Sequence, residues 1–423
     1  MKTSRAKDNS VIHVLSASMI GTTIEYFDFY IYSTAAVLVF PKLFFPHADP
    51  ASATLESLAT FALAFFARPF GAALFGHFGD KIGRKATLVA ALLTMGPSTV
   101  AIGLLPSYQS IGVVAPILLA IFRFGQGLGL GGEWGGAVLL AMENAPEHKK
   151  ARYGIFPQLG APIGLLFSSG IFLILTRIMS EAEFLSWGWR IPFLSSAILI
   201  LVGVYVRLKI TETPDFQEIL HKNETESVPI VTIFKKYSRT LILGTLASIT
   251  TFLIFYLVTV FALNWGTASL GYPKSSLLTA QLIADVFFAI GITISSIWAD
   301  KIGRGNMLIM ATLLIMAYGL SFTSLFVAGN WNLTVFFLSL GLFFMGLTYG
   351  PLGTALAEIF PVSVRYTGSS LCFTLAGILG ASMAPYIATR LAESHGLAYV
   401  GYYLAIAATL TLVALLLVRK KMI

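Results

Sequence analysis

The chain has 423 residues, 56% hydrophobic and only 11% charged, with a formal net charge of +8 and a mean hydropathy of +0.80. Globular domains carry about 25% charged residues, so the composition excludes a water-soluble enzyme or a nucleic-acid-binding domain. Apolar runs of roughly 20 residues recur, the length a helix needs to cross a ~30 Å hydrocarbon core, and the short alternating segments of a membrane β-barrel are missing. An all-α polytopic membrane protein is expected.

In chain order, Lys2, Arg5 and Lys7 precede an apolar run that starts at Val11 and reaches Phe40. It contains Glu25 and Asp28, spaced to share one helical face, and is too long and too charged for a cleaved leader. An uncleaved first span over 12–40 is expected. Further spans are predicted over 54–78, 86–107, 112–142, 153–177 and 190–208. The second carries Arg68, and the fourth carries Arg123 and Glu133. The fourth also has seven glycines in residues 125–136, of which Gly125, Gly129, Gly132 and Gly136 share a face suited to close helix contact.

A polar stretch over 209–239 follows, and six more spans are predicted over 240–264, 276–299, 306–328, 332–356, 367–390 and 398–418. Asp285 lies in the eighth span. Tyr256, Asn264 and Trp265 in the seventh, with Tyr349 in the tenth, either line a central cavity or simply pack. Twelve spans thus divide into an N-terminal six-helix domain (1–208), a cytoplasmic linker (209–239) and a C-terminal six-helix domain (240–423).

Most of the 28 lysines and arginines fall on one side of this topology, Arg207 among them, while Lys42, Arg177, Arg190, Lys274 and Arg390 fall on the other. The positive-inside rule then puts both termini in the cytoplasm and explains the net charge without a nucleic-acid partner. A single cysteine, Cys372, excludes an internal disulfide; no metal-ligand spacing of histidines and no G-x-x-x-x-G-K-[ST] phosphate cradle occurs. Neither a metal nor an ATP-binding site is expected.

Two signatures recur in the same order. GHFGDKIGRK (76–85) is matched by SIWADKIGRG (296–305), and ENAPEHKKARYG (143–154) by EIFPVSVRYTG (358–368). Such duplication gives parallel repeats around a central site, an architecture in which two bundles rock against each other. Gly76 and Gly79 permit close backbone approach. Asp80 can accept from a facing helix N-terminus, and Arg84 and Lys85 are donors for Glu143. Asp300, Arg304 and Glu358 repeat the set, with Gly305 in place of Lys85, so a weaker second latch is expected. These residues either form a cytoplasmic gate or only anchor the topology.

An ionised side chain mid-span costs at least ~2.5–3.5 kcal/mol on insertion scales. Glu25, Asp28, Arg68, Arg123, Glu133 and Asp285 therefore each need a partner or a function. A static charge network and a proton-loading carboxylate are both open on these grounds.

GHFGDKIGRK resembles the loop 2–3 signature of the major facilitator superfamily, and RFGQGLGLGGEWGGA (123–137) its fourth-helix arginine motif. EYFDFYIY (25–32), ARPFGA (67–72), SWGWRIPF (186–193) and ITETPDF (210–216) resemble the metabolite:proton symporter branch, whose members move dicarboxylates, shikimate, proline and betaine. The resemblance implies twelve helices in two six-helix domains around a central cavity, in the cell membrane. It further implies a monomeric symporter that brings a small organic acid or zwitterion in with a proton and needs no other cofactor. It assigns proton coupling to Asp28 gated by Arg123, with Glu25 and Glu133 as further candidates, and a carboxylate ligand to Arg68 and Arg123. GAPIG (160–164) half resembles the Gly-Pro motif of efflux antiporters, the runner-up. A non-transporting nutrient sensor would want a larger soluble domain than the linker provides.

Overall fold

The computed structural model describes residues 11–46, 49–209, 213, 217–218 and 228–422. Lys2, Arg5, Lys7 and most of ITETPDF lie outside them.

Among the described residues, twelve long helical segments follow one another: α1 (Val11–Leu38), α2 (Pro50–Lys81), α3 (Arg84–Leu104), α4 (Val114–Met142), α5 (Lys150–Ile178) and α6 (Arg190–Leu208) in the first half. The second half has α7 (Ser238–Tyr256, continued over Ala262–Ala268), α8 (Lys274–Ile302), α9 (Arg304–Gly319), α10 (Trp331–Glu358), α11 (Arg365–Gly377, continued over Ala384–His395) and α12 (Leu397–Val418). Ten of these are long and apolar enough to cross a membrane. The other two are α1, diluted by its acids and hydroxyls, and α9, only 16 residues long. Large apolar side chains such as Phe70, Ile198, Leu201, Phe336, Ile406 and Leu417 are exposed on the rim, as a hydrocarbon solvent requires.

The spans depart from the sequence reading where backbone chemistry intervenes. The first stops at Leu38, and Pro41 helps start a separate short helix, Phe40–Phe44. The ninth stops at Gly319, before a turn and the short helix Phe322–Leu325. Helices α7 and α11 are each widened by a π-type turn, at Leu257–Phe261 and Ile378–Ser382, a local loosening common at functional sites. Both DKIGR strings make abrupt turns on a positive-φ glycine, Gly83 (φ 115°) and Gly303 (φ 89°), a conformation that a Cβ disfavours.

The halves meet by a pseudo-two-fold exchange, α5 packing on α8 and α2 on α11. Within the first half, the glycine-rich α4 makes two close contacts. Gly125, Gly129 and Gly136 face Ser98, Met95 and Leu88 of α3, Gly136 also meeting Tyr366 of the other half, whereas Gly132, expected on the same face, meets Phe75 of α2. Gly127 and Gly131 face α2, where a Cβ on Gly131 would lie 2.0 Å from the Arg68 carbonyl oxygen. That second contact fixes the height and rotation of α2 and hence of Arg68.

Candidate functional site: a charged interior and an aromatic seam

Arg68 lies mid-helix on α2, buried, with its guanidinium over the rings of Phe29 (4.4 Å) and Phe65 (4.7 Å). Its Nε has no hydrogen-bond partner. Glu25 of α1 and the tyrosines Tyr30, Tyr256 and Tyr349 are within its electrostatic reach. An arginine with spare donors in an aromatic cage, facing the other half of the molecule, is suited to a carboxylate taken in bidentate fashion.

Asp28 and Arg123 do not form an ion pair. Asp28 is fully buried, and its Oδ1 accepts a 2.5 Å hydrogen bond from the Ser196 hydroxyl of α6, while Oδ2 has no hydrogen-bond partner. Arg123 is enclosed by Phe29, Tyr32 and Phe61, 4.0–5.0 Å from its guanidinium, and donates to the Gln126 side chain at 2.9 Å. Gln126 in turn donates to Thr99 (2.8 Å) and, at 3.4 Å, to the Asp28 carbonyl oxygen. The two predicted partners are thus connected through a glutamine, because the aromatic face of α1 turns Arg123 aside.

Glu133 has a different partner from any the sequence suggested. Arg207, counted there as a loop charge, is buried at the end of α6, contacts Glu133 directly and donates to the Leu88 carbonyl at 2.7 Å. Gly21 makes this possible, since a Cβ there would lie 2.5 Å from the guanidinium.

Between the halves runs an aromatic seam. The Tyr26 and Tyr349 hydroxyls meet across it. Tyr30 stacks on Phe255 (5.2 Å), Tyr256 packs edge-on to Phe61 and Phe65, and Trp134 stacks on Phe373 at 3.6 Å. Gln158 ties the seam together, accepting from Trp134 (3.1 Å) and donating to the Tyr349 carbonyl (2.6 Å). The expected central cavity is therefore closed by its own side chains. Beside it, among the described residues, lies a cleft of about 10 Å³, room for one water, lined by Tyr30, Ser33, Thr34, Phe255, Thr259 and Gln281 among others. Asn264 does not reach the centre; it donates to Thr389 of α11.

At the end carrying the DKIGR turns, each half caps a helix of the other. One Asp80 oxygen accepts from the backbone N–H (3.1 Å) and hydroxyl (2.7 Å) of Thr367 at the start of α11. The two Asp300 oxygens accept from the N–H groups of Ala151 (3.0 Å) and Arg152 (3.1 Å) at the start of α5. Arg84 lies 3.7 Å from both Asp80 and Glu143, and Arg304 pairs with Glu358 (2.8 Å) and Asp300 (3.6 Å). Gly76 and Gly79 admit the start of α11; a Cβ on Gly79 would lie 2.7 Å from the Tyr366 ring. Lys85 does not serve Glu143 as expected; it donates to the Leu208 carbonyl that ends α6 (2.7 Å).

Residues 13–232 match the family described as Sugar (and other) transporter. The chain is 53% identical to the inner membrane metabolite transport protein YhjE of Escherichia coli (strain K12), over 97% of this chain and 95% of that protein. It is 35% identical to the shikimate transporter of the same organism, over 88% and 86%. Among solved structures, the proton:xylose symporter XylE superposes with a TM-score of 0.75 at 17% identity, over 97% of this chain and 95% of that one. An inward-open form of XylE from E. coli superposes with a TM-score of 0.64 at 18% identity, over 96% of this chain and 95% of that one. At that identity the likeness concerns the fold alone, two six-helix halves about a pseudo-two-fold axis. Sequence and fold converge: this chain is a multi-pass inner-membrane transporter and belongs to the major facilitator superfamily.

Proposed function

We propose that the chain is a proton-coupled symporter that brings a small carboxylate-bearing metabolite into the cytoplasm by alternating access, without any cofactor but the proton. The halves are residues 1–208 and 240–423, joined by a linker over 209–239, with both termini cytoplasmic. The observation that carries this reading is the buried, incompletely hydrogen-bonded Arg68 in the seam between the halves, with the Glu25 carboxyl within its electrostatic reach. The name of the shikimate transporter relative supports an organic acid as cargo.

The charges divide the labour. Glu133 is neutralised by Arg207 and holds α4 to α6. Asp28 has a hydroxyl partner and no cation within ion-pair distance among the described residues. Burying an ion without its counter-ion costs several kcal/mol, so a proton on Asp28 relieves the interior of the first half. Arg123 senses that site through Gln126 and Thr99. The substrate carboxylate takes Arg68, drawing it from Glu25, so loading the site favours a second acid being neutral. Tyr256 and Tyr349 form the opposite wall. Asp80, Arg84, Glu143, Asp300, Arg304 and Glu358, with Gly76, are the gate that holds the cytoplasmic end shut while the other side opens. Gly160 and Gly164 of the antiporter-like GAPIG segment pack against Thr22 and Phe27 of α1, a role equally at home in a symporter.

The test is uptake into proteoliposomes under an imposed inward proton gradient, alongside counterflow exchange without one. Asp28→Asn is expected to abolish gradient-driven accumulation while preserving exchange. Accumulation that survives the substitution transfers the proton to Glu25, whose Oε2 also lacks a hydrogen-bond partner; uptake indifferent to the gradient in the wild type removes symport.

A further inference from the structure

The second half contributes one mid-span charge, Asp285 of α8, which has no part in the proposed proton and carboxylate sites. It is buried to 3% exposure, its Oδ1 has no hydrogen-bond partner, and among the described residues no lysine or arginine lies within ion-pair distance of it. A buried carboxylate left in that state needs a reason.

Its neighbours supply one. Gln281, Asp285 and Phe288 are spaced to share one face of α8, and all three are buried. Gln281 lines the cleft together with Tyr30 and Phe255. Phe288 packs on Phe255 (6.0 Å) and on Tyr349 (5.8 Å), and Phe255 stacks on Tyr30 (5.2 Å). Asp285 therefore lies on the α8 face that carries Gln281 at the cleft and Phe288 among these rings. Tyr30 links the two sides of the seam, with Asp285 acting on it from the second half and Arg68 from the first.

We propose that Asp285 and the rings of Tyr30, Phe255, Phe288 and Tyr349 form a subsite for an organic ammonium group, so that the transported metabolite is a zwitterion whose carboxylate is held by Arg68. A carboxylate and aromatic faces within ~6 Å are the two elements that recognise an alkylammonium ion. The charge balance agrees: a zwitterion gives Arg68 an anion and Asp285 a cation, whereas a dicarboxylate would set its second charge against Asp285 in a medium of low dielectric. Opposite charges on opposite halves also mean that only a ligand spanning both can draw the halves together. This inference rests on the assignment of Arg68 to the substrate carboxylate.

The test pairs small zwitterions with isosteres that lack only the cation: glycine betaine with tert-butylacetate, and L-proline with cyclopentanecarboxylate. Counterflow exchange by the full-length protein in proteoliposomes, with no pH gradient, reads binding and translocation without proton coupling. At least one zwitterion is expected to exchange and to compete about tenfold or more better than its isostere. Asp285→Asn should erase that preference and Asp285→Glu should keep part of it. Wild-type protein that handles the isosteres as well as the zwitterions overturns the proposal, with no variant required to fold. So does an Asp285→Asn variant that keeps the preference. A variant that exchanges zwitterions normally but no longer accumulates them under a pH gradient would make Asp285 a proton carrier, which also overturns it. Zwitterion preference with uptake indifferent to the gradient would sink the symport reading and leave this one standing.

Discussion

The two DKIGR turns are near-copies in sequence, and they are used differently. Both end a helix on a positive-φ glycine and aim an aspartate at the first turn of a helix in the opposite half, where exposed N–H groups and the helix dipole favour an anion. In the first copy, Gly79 lets the Tyr366 ring approach α2 and Gly76 admits Thr367, and the Tyr366 hydroxyl donates to the Gly132 carbonyl. In the second, Ser296 and Ala299 occupy those positions, and Ala299 meets Ala151. One contact is a large ring on glycine, the other small on small. The first aspartate spends one oxygen on both of its donors, and the second spends both oxygens on separate N–H groups. Duplication preserved the polarity of the latch and let its packing diverge.

The largest expected difference between the copies concerns the arginines. Arg84 is shared by Asp80 and Glu143, whose side chains are 1% and 0% exposed, while Arg304 serves Asp300 and a Glu358 side chain that is 17% exposed. Removing one member of a buried ion pair costs about 3–5 kcal/mol, and much less where water reaches the other. Thermal unfolding in detergent should therefore drop far more for Arg84→Met than for Arg304→Met. Equal losses would mean that the two clusters are energetically equivalent despite their different burial.

Next in size, and against the weaker second latch that Gly305 suggested, is a reversal between the aspartates. Asparagine at 80 can turn its one carbonyl oxygen toward Thr367 and keep both hydrogen bonds, giving up only the Arg84 contact at 3.7 Å. Asparagine at 300 must point its amide at one of two backbone N–H groups, and leaving a buried donor unsatisfied costs about 1–3 kcal/mol. Cys372 is the only native cysteine and is buried. A Val138→Cys reporter, placed where α4 meets Gly353 of the other half, thus reads opening of this end by thiol labelling. Asp300→Asn should label roughly five- to a hundredfold faster than wild type, and Asp80→Asn by a clearly smaller factor. The opposite order would give the first copy the stronger latch.

These contrasts also mark what could be read before the structure. The helices were legible because a span must be continuously apolar, and the paired turns because Asp80 and Asp300 recur in identical pentapeptides. Arg207 was misread because a basic residue at a helix end looks like any inside charge; only Gly21 on α1, which leaves space for its guanidinium, hints otherwise. The Asp28–Ser196 bond joins α1 to α6, and no local spacing encodes it. Tyr30, Phe255 and Phe288 escaped notice because aromatic residues within membrane spans usually pack, and their meeting across the seam depends on how the halves dock. Charges announce themselves in an apolar sequence, whereas their partners are a property of the fold.

The smallest effect tests the one position where the duplicated turns differ in charge. Lys85 donates to the Leu208 carbonyl at the end of α6, and in the second half the backbone N–H of Gly305 donates to the Met422 carbonyl just beyond α12 (3.1 Å). Each turn thus ties down the last helix of its own half, once with a side chain and once with the main chain. The main chain can do it because glycine lets the chain end approach: a Cβ at 305 would lie 3.0 Å from the Arg419 Cβ. Lys85→Met removes one partly solvated hydrogen bond and should cost about 0.5–1.5 kcal/mol, a shift of a few degrees in thermal unfolding. Gly305→Ala keeps its N–H and gains about 1 kcal/mol of helix propensity, which offsets the tight contact with Arg419, so its stability should stay close to wild type. If Gly305→Ala instead loses more than Lys85→Met, the approach of residues 419–422, rather than the hydrogen bond both copies share, is what the second turn is built around.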